Sequence, residues 1–117
     1  MNAAARRPKP PAIDPETMRS HAGDAARLLK TLGNEKRLMV LCLLVGGEQS
    51  VGELNARLDL SQSALSQHLA VLREDGLVTT RRDAQSIFYS LAEGPAQRII
   101  ETLHGIYCAA NAPLCGD

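Results

Sequence analysis

Two short leucine runs at helical spacing, split by a tight turn and then replaced by a strand-like pattern, constrain this chain more than any other feature. Leu54 and Leu58 stand four residues apart, Asp59-Leu60 makes a tight turn, and Leu65, Leu69 and Leu72 resume helical spacing. Ser50 and Glu53 have the spacing of a capping box at the start of the first run, and Ser61 or Ser63 can open the second. Gly76 ends it. From Leu77 to Leu91 the residues turn β-branched and aromatic. Val78-Thr79-Thr80 and Ile87-Phe88-Tyr89 flank the polar stretch Arg81-Arg82-Asp83-Ala84-Gln85-Ser86, which predicts a β-hairpin. A short helix, a turn and a second helix make a helix-turn-helix candidate.

The flanking segments are helical too. Asp14 followed by Pro15 is an N-cap with proline at the first helical position. The helix it opens carries Met18, Ala22, Ala25, Leu29 and Leu32 at steps of four and three, a heptad seam that ends at Gly33. One such seam is too short for a free-standing coiled coil, so it must pack on another helix or on its own symmetry mate. Asn34 caps a second helix running through Val45, with Leu38, Leu41, Cys42 and Val45 on one face and Gly46-Gly47 as its stop. Gly94-Pro95 opens a last helix with a stripe of Ile99, Ile100, Leu103, Ile106 and Tyr107. The predicted architecture is mainly α with a β-hairpin, in the order ααααββα. Residues 1–12 are read as a flexible basic arm with Arg6, Arg7 and Lys9, residues 13–111 as the folded domain, and residues 112–117 as a loose tail.

Composition narrows the classes. The 117 residues suffice for one domain, and with no Trp, one Phe and two Tyr the core must come from Leu, Ile, Val and Ala, which suits packed helices. The longest apolar run, Leu38 to Val45, is far below the roughly 20 residues of a membrane span. Pro8, Pro10 and Pro11 follow the basic residues where a secretory signal would be apolar. Three cysteines, Cys42, Cys108 and Cys115, do not form a disulfide framework, and a cytoplasmic location with reduced thiols is expected. Lys and Arg balance Asp and Glu at 13 each, which removes the simplest argument for a polyanion partner. Enzymatic chemistry would rest on Cys108 and His104 alone, so no enzyme is expected.

The face of the fourth helix opposite its leucines is the informative one. Gln62, Ser63, Ser66 and Gln67 stand near its N-terminus, where the second helix of a helix-turn-helix reaches base edges. Small side chains let the backbone approach the major groove, and Gln can both donate and accept there. Arg81 and Arg82, placed at the hairpin tip, would grip flanking phosphates or enter the minor groove. The plainer alternative is a solvated helix face and two arginines solvating a turn. A pure protein-interaction module would keep the first and last helices but would not need this polar set. His68, next to Leu69, fits a structural role better than base reading or metal binding.

The stretches Leu28-Leu29-Lys30-Thr31-Leu32-Gly33-Asn34-Glu35-Lys36-Arg37-Leu38, Leu60-Ser61-Gln62-Ser63-Ala64-Leu65-Ser66-Gln67-His68-Leu69 and Leu72-Arg73-Glu74-Asp75-Gly76-Leu77-Val78 resemble the ArsR/SmtB family over about residues 14 to 110. The resemblance implies a dimeric bacterial winged helix-turn-helix repressor, paired through its first and last helices, with the fourth helix and the wing on double-stranded operator DNA. No cofactor and no membrane are implied.

Most relatives in that family are described as metal sensors. The thiolate type carries Cys-Val-Cys at the start of the third helix, where this chain has Ser50-Val51-Gly52. The other common site lies along the last helix, which offers only Glu101 and His104, short of the about four ligands a closed zinc site needs. No metal site is therefore assigned. Cys42, on the apolar stripe of the second helix, can be plain core filler. Cys108 lies about 140° around the last helix from Leu103, on the side of Glu101 and His104, and four residues after His104. A cationic neighbour would favour its thiolate, unless the helix is buried on two faces. A cysteine in the second helix and one in the last, without the third-helix motif, resembles the persulfide-responsive subgroup of the family. That resemblance implies that Cys42 and Cys108 are joined by a disulfide or polysulfide when reactive sulfur species rise, releasing the operator. Cys115 is a bystander or supplies sulfur exchange. A metal-responsive repressor and a general thiol-redox repressor responding to oxidants are the alternatives.

Overall fold

A computed structural model describes residues 12–107. Among these the elements run α1 (Pro15–Leu32), α2 (Glu35–Leu44), β1 (Gln49–Ser50), α3 (Val51–Arg57), α4 (Gln62–Glu74), β2 (Val78–Asp83), β3 (Ser86–Leu91) and α5 (Pro95–Tyr107). This is the expected order with one strand added. Residues 1–11 and 108–117, and with them the basic arm, Cys108, Cys115 and the tail, lie outside the described residues.

Local chemistry sets each helix start. The Asp14 carboxylate accepts from the Thr17 N–H, and the Asn34 side-chain oxygen accepts from both Lys36 and Arg37 N–H at 3.0 Å. Ser50 and Glu53 form the reciprocal capping box, and the Ser61 hydroxyl accepts from Ala64 N–H, which decides the start of α4 in favour of Ser61. The stop of α4 is a Schellman turn. Leu77 N–H donates to Leu72 O, Gly76 N–H donates to Arg73 O, and Gly76 takes the φ of 75° that a side chain disfavours.

The core gathers one face of each helix around α2. Val40 and Leu41 from α2, Leu54 from α3, Leu65, Leu69 and Leu72 from α4, and Ile100 from α5 are fully buried. Each such side chain contributes about 1.5–3 kcal/mol by leaving water, and together they fix α3 and α4 relative to α2. The buried face of α2 centres on Val40, Leu41 and Leu44, whereas Leu38, Cys42 and Val45 are half-buried. The helix is apolar nearly all round, so spacing alone placed that face about a third of a turn away. The turn between α3 and α4 is held by Asn55 Nδ2, which donates to Leu60 O at 3.0 Å.

β2 and β3 pair antiparallel from Val78↔Leu91 to Asp83↔Ser86, and β1 adds to the other edge of β3 through Gln49↔Tyr89 and Ser50↔Phe88, giving the order β1-β3-β2. Helix-turn-helix and hairpin together form a winged helix-turn-helix. Ala84 and Gln85 alone make the turn, and Ala84 adopts φ 60°. Arg81 and Arg82 therefore lie inside β2 and not at the hairpin tip, because the strand pairing continues through the polar residues that looked like a loop.

Two apolar faces stay exposed. Along the α1 seam Leu32 is buried, but Met18 and Leu29 remain 47% and 60% exposed; on α5 Ile106 and Tyr107 are 63% and 59% exposed. No helix among the described residues is long and apolar enough to cross a membrane.

Candidate functional site

The outward side of α4 carries two lanes. At 100° per residue Gln62, Ser66 and Arg73 lie within about 40° of one another, and Ser63 and Gln67 form a neighbouring lane about 100° further round. All five are exposed; the Ser63 and Gln67 lane lies opposite the buried Leu65, Leu69 and Leu72, and the Gln62, Ser66 and Arg73 lane lies beside Leu69 at the edge of that buried face. The first lane faces an open groove of about 1450 Å³, bounded by Gln62, Ser66 and Arg73 of α4, by Gly52 and Asn55 of α3 and by Gln85 and Ser86 of the wing. Glu74 also borders it, a residue that the sequence reading left out. Neutral hydrogen-bonding side chains at the N-terminal end and a positive helix terminus are suited to base edges and phosphates. His68 is half-buried on the flank of the leucine face.

The two wing arginines differ in what holds them. Successive strand residues face opposite sides, and Arg81 turns towards β3 and the α2–β1 turn. Its Nε and one terminal nitrogen donate to the two Glu48 oxygens at 2.9 and 2.7 Å. Its guanidinium also lies over the Phe88 ring, 4.6 Å from the centroid, with Asp83 3.8 Å away. The hydrogen bonds from Arg81 hold the Glu48 carboxyl below its ordinary pKa, and the same contact raises that of Arg81. Arg82 is exposed and has no ion pair among the described residues. It is the wing cation available for a phosphate. Glu48 carried no signal in the sequence, because a partner 33 positions away follows from sheet register and not from local spacing.

A second cluster ties α1 to the end of α4. The Thr31 hydroxyl donates to Asp75 at 2.6 Å, Arg27 donates to the same carboxylate at 3.1 Å, and Arg37 Nε donates to Thr31 O at 2.9 Å. Asp75 is held below the ordinary carboxylate pKa, first by the Thr31 hydrogen bond and then by Arg27.

Cys42 is half-buried and lines a cavity of about 280 Å³ together with Gly46, Gly47, Glu48, Arg57 and His104. The cavity thus joins the second helix to the last one, four residues before Cys108. Cys108 itself lies outside the described residues. Glu101 is exposed and His104 half-buried, and among the described residues no group of three or more His, Cys, Asp or Glu side chains comes together as a metal site.

The model of bacterial regulatory proteins of the arsR family matches residues 34–80, which hold α2 to the start of the wing. The transcriptional activator HlyU of Vibrio cholerae serotype O1 is 54% identical over 96 residues, covering 82% of this chain and 89% of that protein. Its structure in the reduced form aligns with a TM-score of 0.76 over 80% of this chain and 98% of that one. The biofilm growth-associated repressor of Agrobacterium fabrum is 56% identical over 97 residues, covering 83% of each chain. A homodimeric winged helix-turn-helix DNA-binding domain from Mycobacterium bovis, solved in solution, is 25% identical with a TM-score of 0.67, covering 86% of this chain and 93% of that one.

Proposed function

The chain belongs to the arsR family of bacterial regulatory proteins, as a transcriptional regulator and not an enzyme, and from that premise we propose that it is a dimeric, cytoplasmic repressor whose operator is released when Cys42 and Cys108 are joined. The observation that carries the sensing half is the cavity in which Cys42 meets His104 of the last helix, four residues before Cys108. Ser50-Val51-Gly52 at the head of α3 supplies no thiolate for a metal. A relative solved specifically in its reduced form supports a thiol-linked state.

DNA binding uses α4 and the wing. Gln62, Ser63, Ser66 and Gln67 read base edges, Arg82 holds a phosphate, and Arg81 shapes the wing. Two copies pair through the exposed seam of α1 and the exposed end of α5, where Met18, Leu29, Ile106 and Tyr107 gain cover. The names of the relatives include both an activator and a repressor. As a repressor, the protein would turn its genes on when thiol oxidation releases it from the operator.

The chemistry balances with a low-molecular-weight persulfide, RSSH, as oxidant. One protein thiol takes the terminal sulfur and releases RSH. The second thiol attacks the resulting protein persulfide, forming the disulfide and expelling hydrogen sulfide. If both cysteines are first persulfidated, their reaction expels one hydrogen sulfide and leaves a trisulfide. The longer bridge relaxes the Cα separation of about 4.4–6.8 Å that a direct disulfide imposes.

A binding assay on the chain's own upstream DNA tests the reading. Persulfide should weaken binding, with mass spectrometry showing Cys42 joined to Cys108. Release by zinc with both thiols unmodified would favour a metal sensor, and equal release by peroxide a general thiol switch. A reporter that falls when the gene is deleted would make the protein an activator.

A further inference from the structure

One ion pair links the outer strand of the wing to the turn that borders the Cys42 cavity. The order β1-β3-β2 sets Ser50, Phe88 and Arg81 in a row across the sheet, so Arg81 passes over Phe88 and closes on Glu48, the residue just before β1. The contact is bidentate, the geometry that most restricts how a guanidinium and a carboxylate can sit. Gly46, Gly47 and Glu48 all line the cavity with Cys42. Gly47 takes φ 135°, so the path of that turn relies on glycine there. Beyond it Gln49 Nε2 donates to Leu43 O at 2.8 Å and pairs with Tyr89, which ties the turn to both α2 and β3. A shape change at Cys42 reaches β3 through backbone pairing. β2, the strand that carries Arg82, is tied to that turn both by its pairing with β3 and by the direct contact of Arg81 with Glu48.

Resting on the persulfide reading above, we propose that Glu48 is a positioning residue that carries the state of the Cys42 cavity to the wing. With the thiols reduced, Glu48 holds Arg81, and the neighbouring Arg82 is presented to DNA. Joining the thiols shifts the turn and withdraws that support, so the wing loses its pose while α4 stays anchored in the core. The two poses of the wing are the two states whose balance the cavity biases.

The test compares full-length wild type, Glu48→Gln, Glu48→Asp and, as a control ion pair whose residues do not line the cavity, Asp75→Asn. Operator affinity is measured on reduced protein and after a persulfide donor, with mass spectrometry reading thiol modification in every sample. Wild type and Asp75→Asn should each lose at least about five-fold in affinity on modification, the low end of ordinary allosteric coupling. Both Glu48 variants should already bind at least about five-fold worse than wild type when reduced, be modified equally, and lose less than about two-fold more on modification. A Glu48 variant that responds like wild type overturns the proposal. So does one that keeps wild-type affinity when reduced, since loss of the pair would then not be what weakens operator binding. A wild type that is modified yet keeps its affinity refutes the persulfide reading, a result distinct from either.

Discussion

Asp75 is where α1 and the end of α4 meet, and its partners give a pH signature. Its carboxyl pKa is lowered in the folded chain by the Thr31 hydroxyl and Arg27. A depressed carboxyl contributes fully above its unfolded value of about 3.9 and loses that contribution as pH falls through the lower folded one. Asp75→Asn should therefore cost about 1–2 kcal/mol at neutral pH. In denaturant titrations the gap to wild type should narrow as pH falls below about 3.9 and through the lower folded-state value. A gap that persists unchanged into acid would mean that the charge is irrelevant. Ala84 offers the opposite sign. It holds φ 60° without being glycine, so Ala84→Gly should stabilise by about 0.5–1 kcal/mol in thermal melts, and no gain would place the cost elsewhere. The missing glycine or asparagine is also why the hairpin turn could not be located from sequence. With no turn signal in Arg81 to Ser86, the whole polar stretch read as loop, and the two arginines were set at the tip. Their contrasting roles depend on Glu48, which only the folded sheet brings near.

At the scale of elements, caps and stops were legible because each is a side chain acting on its own neighbours. Asp14, Asn34, Ser50 and Gly76 do in the structure what their spacing predicts. β1 was not legible, since two residues are too few to show alternation and its partner β3 is 39 or so positions away. The α1 seam was legible as a pattern, and the structure adds that its Met18 and Leu29 remain exposed on one chain. Leu29→Glu places a charge on that face without touching the buried core. Analytical ultracentrifugation should show a dimer for wild type and a monomer at the same concentration for the variant. Dimers in both would move the subunit contact away from α1.

On the whole molecule, zero net charge shapes how DNA is held. Between Ser61 and Leu91 the charges are Arg73, Arg81 and Arg82 against Glu74, Asp75 and Asp83, and the structure commits Arg81 to Glu48 and Asp75 to Arg27. Arg73 and Arg82 remain, or four cations in a dimer, so the described residues should give a log–log salt slope of roughly −3 to −4. A slope near −10 would mean that residues outside this set carry most phosphate contacts. On the proposed function little non-specific attachment is in reserve, so a modest change in wing pose would empty the operator. The polar face of α4 could be read from sequence because the spacing of Leu65, Leu69 and Leu72 leaves Gln62, Ser63, Ser66 and Gln67 exposed. The cavity shared by Cys42 and His104 could not be read from sequence, since Cys42 is spaced like an ordinary apolar-face residue and the two helices meet only in the fold.

The most direct measurement is operator affinity, by fluorescence anisotropy before and after a persulfide donor, for wild type, Cys42→Ser and Cys108→Ser. Wild type should lose affinity by about 5- to 150-fold, and each single substitution should hold the operator as tightly after treatment as before. A full response in either variant would contradict the two-thiol switch.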